Sequence, residues 1–346
     1  MVLNIGIIGF GKSTNRYHLP FILNRENLKV KTVYNRSKKV ELEGTYKDKD
    51  INFTTNIKDL LEDESIKLIS ICTSSETHYK FAKMCLEHNK NVLVEKPFTK
   101  TFDEAKELID LARNRGLVIM PYQNRRFDSD FLAVKEVVES GVLGELVEIE
   151  SHFDYYRPEY PTFEGEKTDG AFFGLGVHTI DQIVYLFGKP NKVYYDIRTI
   201  RNKENPDDYY HIELFYNKFK AIVKTNHLVK SEYPKFIVHG TKGSFIKYGI
   251  DKQEECLKGG IMPWDENFGV DPKENYGILD YINSKGENII GIKVTPQGDY
   301  GRVYDYLYET LINGREKLVK DLELITVMKI LEEGIASETP KIVEFK

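Results

Sequence analysis

The sequence predicts an α/β fold in two parts: a doubly wound parallel sheet over residues 1–122, then an α+β domain over residues 123–346. Three observations carry that expectation. The chain opens with a buried-strand run containing Ile5, Ile7 and Ile8 that breaks into a glycine turn, Gly9-Phe10-Gly11. Up to residue 122, short apolar runs alternate with helical segments of the length that right-handed crossovers require. From Gln123 onward most strand-like runs follow one another with only turns between them, which implies antiparallel neighbours in one sheet. At 346 residues the chain is also longer than one core usually serves.

The first part begins with the turn and a helix expected over residues 13–24. Gly9 can take backbone angles that a side chain forbids, and Gly11 lets the main chain come against a pyrophosphate held by the free N–H groups of a helix start. Gly9, Gly11, Lys12, Ser13 and Thr14 are therefore candidate dinucleotide contacts in a Rossmann domain, although Thr14 stands where G-x-G-x-x-G has its third glycine. A strand over 30–34 ends in Tyr34-Asn35-Arg36-Ser37-Lys38-Lys39. No acid is present to hold ribose hydroxyls, and the cations suit a 2′-phosphate, so Asn35, Arg36 and Ser37 favour NADP(H) over NAD(H). The same run also suits a solvated basic loop.

Residues 41–50 are polar and read as a surface excursion, followed by a short helix over 58–61 and a strand over 67–72. Thr73, Ser74, Ser75 and Thr77 then offer hydroxyls at a strand end, before a helix over 78–88. Ligands of open parallel sheets bind outside the carboxyl ends of the strands, which makes Thr73, Ser74 and Ser75 cofactor candidates. His78 suits either a ligand contact or a bond to local backbone. A strand over 91–94 runs into Glu95-Lys96-Pro97, a helix over 102–115 stops at Gly116, and a strand over 117–122 completes the alternation.

The second part is expected to hold a helix over 131–140 and strands over 146–153, 192–198, 211–216, 219–226, 235–239 and 244–247. A helix over 179–187 interrupts the series, and helices over 303–312 and 322–336 close the chain. Residues 201–208 and the Gly- and Pro-rich stretch 259–273 read as insertions with no assigned role.

Composition narrows the function classes. A net charge of −5 gives no reason to expect nucleic acid or an anionic membrane as partner. No apolar run approaches the ~18 residues that span a bilayer, and the N-terminus lacks a secretory pattern. Three cysteines, Cys72, Cys85 and Cys256, are odd in number and widely spaced, which fits a reducing, cytoplasmic setting without a disulfide framework or a zinc site. No histidine spacing calls for a metal.

Chemistry concentrates at two places. An ammonium at Lys96, on a strand end where the fold puts its ligands, can stabilise the alkoxide that forms as hydride leaves a carbinol carbon. His178, after the glycine-rich Gly174-Leu175-Gly176, supplies an imidazole suited to accept the hydroxyl proton.

Together these motifs resemble the Gfo/Idh/MocA family of nicotinamide-dependent oxidoreductases, which includes glucose-fructose oxidoreductase and inositol dehydrogenases. The resemblance rests on IGIIGFGKS, Ser75 to His78, the EKP triplet Glu95 to Pro97, YQNRRF at 122–127 and GLGVHTIDQ at 174–182, and it spans nearly the whole chain. HFDYYRP and YQNRRFD look closest to a bacterial subgroup whose substrates are largely unassigned. The resemblance implies an open, mostly antiparallel second sheet whose outer face joins homodimers or larger homo-oligomers. It also implies cofactor contacts from Glu95, Lys96 and Asn124, catalysis by Lys96 and His178, and a sugar, cyclitol or related polyol as substrate. One departure bears on the substrate: the family commonly has D-x-x-x-H, and Gly174 stands at the Asp position. Tyr155, Tyr156 and Asp169 are candidates to compensate. The alternative function is a dinucleotide-binding redox sensor with little catalysis.

Overall fold

A computed structural model describes residues 1–159, 161–162 and 165–345. The chain forms two compact units, neither of them continuous in sequence. The first comprises Met1–Asn124, Leu257–Glu266 and Tyr300–Asp321, and the second Arg125–Cys256, Asn267–Asp299 and Leu322–Lys346. The sequence pointed to one boundary at 122/123 and gave no sign of the later returns.

In the first unit, six parallel strands, β1 (Leu3–Ile8), β2 (Leu28–Tyr34), β3 (Asn52–Thr54), β4 (Leu68–Ile71), β5 (Asn91–Val94) and β6 (Ile119–Pro121), lie in the order β3-β2-β1-β4-β5-β6. This is the doubly wound order, and its reversal beside β1 creates the crevice where such sheets bind ligands. β4 is buried along its whole length, as a strand covered on both faces must be. The helix expected over 13–24 is two elements, a π-helical turn Thr14–His18 and then α1 (Leu19–Leu23). Pro20 has no N–H to return to residue 16, and the Leu19 N–H reaches Thr14 O instead, widening the turn. The polar excursion contains α2 (Val40–Gly44), and β3 follows it at the sheet edge. α3 (Lys58–Leu61), α4 (His78–Glu87) and α5 (Phe102–Asn114) fall where expected. α5 starts on a capping box between Thr101 and Glu104.

The second unit carries α6 (Ser129–Ser140), β7 (Leu146–His152), α7 (Val177–Phe187), β8 (Lys192–Arg198), β9 (Tyr209–Phe215), β10 (Lys220–Asn226), β11 (Phe236–Gly240) and β12 (Gly243–Lys247). After α8 (Gln253–Gly259) come β13 (Gly277–Ile282) and β14 (Asn288–Lys293). α9 (Arg302–Asn313), α10 (Asp321–Ala336) and β15 (Lys341–Glu344) end the chain. Nine strands form one sheet in the order β14-β13-β12-β11-β7-β10-β9-β8-β15. The sheet is mostly antiparallel, as expected, with one parallel pair. β7 and β10 are parallel, because the chain leaves β7, crosses to the outer position of β8, and comes back inward through antiparallel β9 and β10 to lie beside β7 in the same direction.

Helices α6, α7 and α10 bury one face of this sheet in a core that includes Phe131, Phe172, Ile180, Ile212, Phe236 and Leu331. The opposite face carries a row of isoleucines in register across four strands, Ile237, Ile246, Ile278 and Ile292. Ile278 and Ile292 are 49% and 73% exposed. Among the described residues no helix is long and apolar enough to cross a membrane, and all three cysteines are free thiols.

Candidate functional site

The glycine turn is shaped by its neighbours. Gly9 has φ +101°, and a Cβ there would lie 2.7 Å from the carbonyl oxygen of Cys72, so only glycine fits beside the end of β4. At Gly11 an added Cβ would meet nothing within 4 Å, which leaves the close approach that a pyrophosphate requires. Thr14 solves the missing third glycine in its own way: it is buried, and its hydroxyl donates to Gly9 O at 2.8 Å, tying the turn to the helical segment. Asn15 adds a second tie to Gly11 O at 2.8 Å. Lys12 is exposed beside the turn.

The end of β2 divides its polar groups by task. Asn35 Oδ1 accepts from the Phe10 N–H at 3.3 Å, and Lys39 Nζ donates to Phe10 O at 2.7 Å, so both hold the glycine turn in place. Arg36, Ser37 and Lys38 are exposed, and neither cation forms an ion pair among the described residues.

After β4, Thr77 Oγ1 donates to Thr73 Oγ1 at 2.7 Å, and Ser74 and Ser75 lead into α4. His78 is buried, with Nδ1 2.8 Å from Pro97 O and Nε2 3.1 Å from Thr73 O. Both ring nitrogens thus face main-chain carbonyls, and the imidazole braces the Thr73 loop against the turn after β5.

Glu95, the residue before Lys96, is the best-connected group at the strand ends. Its Oε2 accepts the Lys96 N–H at 3.0 Å, and its Oε1 accepts from the Ser13 hydroxyl and lies 3.0 Å from His18 Nε2. Burial would raise its pKa, but the His18 hydrogen bond and charge, then Lys96 and Ser13, outweigh burial and hold the carboxyl at about 2. It is therefore an ionised carboxylate in a buried place. Asn124, at the end of the unit's first segment, is also buried.

In the second unit, His178 lies in the first turn of α7, downstream of a π-helical turn Phe172–Gly176, and is 4% exposed. The helix is fixed from several sides. Arg126 Nε and Nη2 form a fork on Asp181, each 2.8 Å from one carboxylate oxygen, and Nη2 also reaches Glu323 at 2.9 Å. Burial works against the Arg126 charge, but the two carboxylates prevail and its pKa rises. Gln182 Nε2 donates to Arg125 O at 2.7 Å, and Thr179 Oγ1 lies 3.1 Å from Tyr210 Oη. These contacts leave the start of α7 little freedom, which suits a group that must act at a fixed point.

The segment before His178 is clamped by Asp207, within the stretch first read as an insertion. Asp207 Oδ2 accepts the Phe172 N–H at 2.7 Å, and Asp207 O accepts the Ala171 N–H at 2.8 Å. A Cβ on Gly170 would fall 1.9 Å from Asp207 Oδ1, so the clamp requires glycine there. Burial pushes the Asp207 carboxyl up to about 7; the Phe172 N–H works against this and the Asp208 charge adds to it. A carboxyl raised in the folded state holds its proton after the unfolded chain, with its ordinary value near 4, has lost it. Its contribution to stability is therefore present at low pH, falls between about 4 and 7, and is flat above that. Asp207→Asn, which keeps an acceptor for Phe172 without a charge, is expected to raise the melting temperature relative to wild type more at pH 8 than at pH 5. Thermal melts of both proteins at the two pH values check this, and a difference independent of pH would count against it.

The remaining candidates separate. Tyr155 is sandwiched by local contacts, with the Arg157 guanidinium 3.9 Å from its ring centroid and His227 at its edge. Tyr156 is 51% exposed. Asp169 accepts the Glu166 N–H at 2.8 Å and caps a short 3₁₀ turn. At Gly174 an added Cβ would meet nothing within 4 Å, so the backbone there leaves space for a side chain. The sequence gave no role to His18, Ser70, Tyr304, Arg126 or Asp207. His18 carried a weak signal, an imidazole directly before the apolar run Leu19 to Leu23.

Comparison with known proteins places the chain. A family model described as "Oxidoreductase family, NAD-binding Rossmann fold" matches residues 3–123, and its companion, "Oxidoreductase family, C-terminal alpha/beta domain", matches residues 135–342. The chain belongs to the Gfo/Idh/MocA oxidoreductase family. Among relatives within Gfo/Idh/MocA, the Escherichia coli K12 protein named uncharacterized oxidoreductase YhhX is 53% identical over 344 residues, 99% of each chain. A crystal structure of YhhX superposes with a TM-score of 0.97 over 99% of each chain at 52% identity. An oxidoreductase from Bacillus cereus gives 0.98 at 51% identity, covering 100% of this chain and 99% of its own. The Bacillus subtilis protein named scyllo-inositol 2-dehydrogenase (NADP(+)) IolW is 31% identical over 98% of this chain and 94% of its own. As a Gfo/Idh/MocA member the protein is an oxidoreductase with an NAD(P)-binding Rossmann domain.

Proposed function

We propose that the protein is an NADP(H)-preferring dehydrogenase or reductase that moves hydride reversibly between the nicotinamide and a carbinol carbon of a sugar, cyclitol or related polyol. The observation that carries the reading is Lys96 just past the end of β5, with its backbone fixed by an ionised Glu95 that also binds Ser13, just after the glycine turn. The name of IolW supports a cyclitol and NADP.

The residues fit the cofactor: Gly11 leaves room for the pyrophosphate, and Arg36 has a guanidinium with no ion-pair partner among the described residues. When bound, NADP(H) supplies C4 of its nicotinamide as hydride donor or acceptor. Gly9, Gly11, Lys12, Ser13 and Thr14 serve the pyrophosphate in this reading, with Asn35, Arg36 and Ser37 at the adenosine end. Thr73, Ser74 and Ser75 border the same strand ends, and His78 supports them. Lys96 donates to the reacting oxygen and stabilises its negative charge, and His178 accepts the hydroxyl proton during oxidation or returns it during reduction. Gly174 contributes no carboxylate, so substrate hydroxyls are bound without the family's usual acid.

The test is a titration of purified protein with NADPH and NADH, followed by a panel of sugars, cyclitols and their keto forms monitored at the nicotinamide absorbance. The expected result is tighter NADPH binding and turnover of at least one polyol pair. NADPH binding with no turnover across the panel would favour a sensor instead.

A further inference from the structure

We propose that His18 and Tyr304 are positioning residues for hydride transfer, acting through Glu95 on Ser13 and Lys96; the inference rests on the NADP(H) reading above. All the groups belong to the first unit, yet Tyr304 is contributed by its last segment, Tyr300–Asp321.

A continuous line of buried polar side chains joins them. Ser70 Oγ lies 3.0 Å from Tyr304 Oη, Tyr304 Oη lies 2.6 Å from His18 Nδ1, and His18 Nε2 lies 3.0 Å from Glu95 Oε1. Ser70, Tyr304 and His18 have no exposed surface, and Tyr122 stacks on the imidazole with ring centroids 4.2 Å apart. A core at this point would be simpler with apolar side chains, since every buried polar group must be satisfied. This one is satisfied throughout, and its last member is the carboxylate beside Lys96.

The proton inventory gives the line a direction. An ionised carboxylate only accepts, so Ser13 O–H, Lys96 N–H and His18 Nε2–H all donate to Glu95. Donation from His18 at Nε2 leaves Nδ1 facing a phenol that remains protonated, because burial above all, with the Glu95 charge adding and the Ser70 hydrogen bond opposing, holds the Tyr304 pKa far above its ordinary value. The Tyr304 hydroxyl thereby fixes the ring of His18, and the ring fixes the Glu95 oxygen that holds Ser13. The other oxygen of the same carboxylate holds the Lys96 amide. One carboxylate thus sets two points that the proposed cofactor must span, the glycine turn and the strand end carrying the ammonium.

Hydride transfer is sensitive to small displacements of reacting groups, and a misplacement of about 1 Å can cost ~10²-fold in rate. Dinucleotide binding, spread over many contacts, is much less sensitive. Loosening the line should therefore change the environment of the nicotinamide and kcat more than it changes affinity.

The experiment compares wild type, Tyr304→Phe and His18→Gln by NADPH affinity, by the fluorescence lifetime of the bound nicotinamide, and by kcat and KM on a substrate found in the panel. For Tyr304→Phe the expected result is an altered lifetime and kcat reduced about 10-fold, part of the range for a misplaced group, with NADPH affinity within about twofold. His18→Gln keeps an N–H for Glu95 and is expected to lose less. It also carries the test if Tyr304→Phe does not fold. Wild-type lifetime and kcat in the folded variants, with only the melting temperature lowered, would overturn the inference and leave the functional reading standing. Failure of wild type to bind NADPH would overturn both.

Discussion

Lys96→Ala is expected to lower turnover at least ~10²-fold on a genuine substrate, the scale of a lost positioned acid–base group. The side chain has no substitute at its place: the Lys96 N–H is taken by Glu95, and Glu95 is an acceptor without a proton to give near neutral pH. Removal of the ammonium leaves the reacting oxygen without its proposed stabilising charge. His178→Ala should cost a similar factor, with the loss in kcat rather than in NADPH affinity, because no dinucleotide contact is assigned to it. The helix around it should survive, since Arg126, Gln182 and Thr179 hold α7 independently of the imidazole. Steady-state rates with thermal melts as a folding control decide this, and near-normal rates in both variants would defeat the assigned roles.

Arg36→Asp should separate the two dinucleotides. A charge-assisted hydrogen bond contributes about 1.5–3 kcal/mol, so loss of a 2′-phosphate partner should weaken NADPH by roughly 10- to 100-fold. The introduced carboxylate also repels that phosphate and suits ribose hydroxyls, so NADH should change by less than about threefold. Arg36 is exposed and braces nothing among the described residues, whereas Lys39 in the same run supports Phe10. Equal changes in the two dissociation constants would count against a 2′-phosphate contact.

The glycine turn and the EKP strand end were legible because their physics is local. A positive φ at Gly9, an apolar strand before it and a strand ending at Val94, just before Glu95 and Lys96, are all written in neighbouring residues. The extended runs of the second unit were legible for the same reason, but their pairing was not. Whether β10 lies parallel to β7 depends on where the chain goes during the residues between them. β13 and β14 went unread, and with them the outward isoleucines that give both strands apolar residues on their exposed side. Arg126 and Asp207 were hidden by their chemistry. A buried arginine looks like any surface arginine in sequence, and an aspartate that clamps two backbone N–H groups looks like a loop residue. Tyr304 was the least accessible, since its partner His18 is 286 positions away.

That distance has a consequence for synthesis. Domains generally fold as units during translation, N-terminal first, but the first unit takes its last segment from Tyr300–Asp321. The line from Ser70 to Glu95 cannot close until that segment has left the ribosome, when nearly the whole chain has been made. A fragment ending at residue 124 would carry both glycines of the turn, Gly9 and Gly11, and the EKP triplet, yet it would lack the phenol that completes the His18 line.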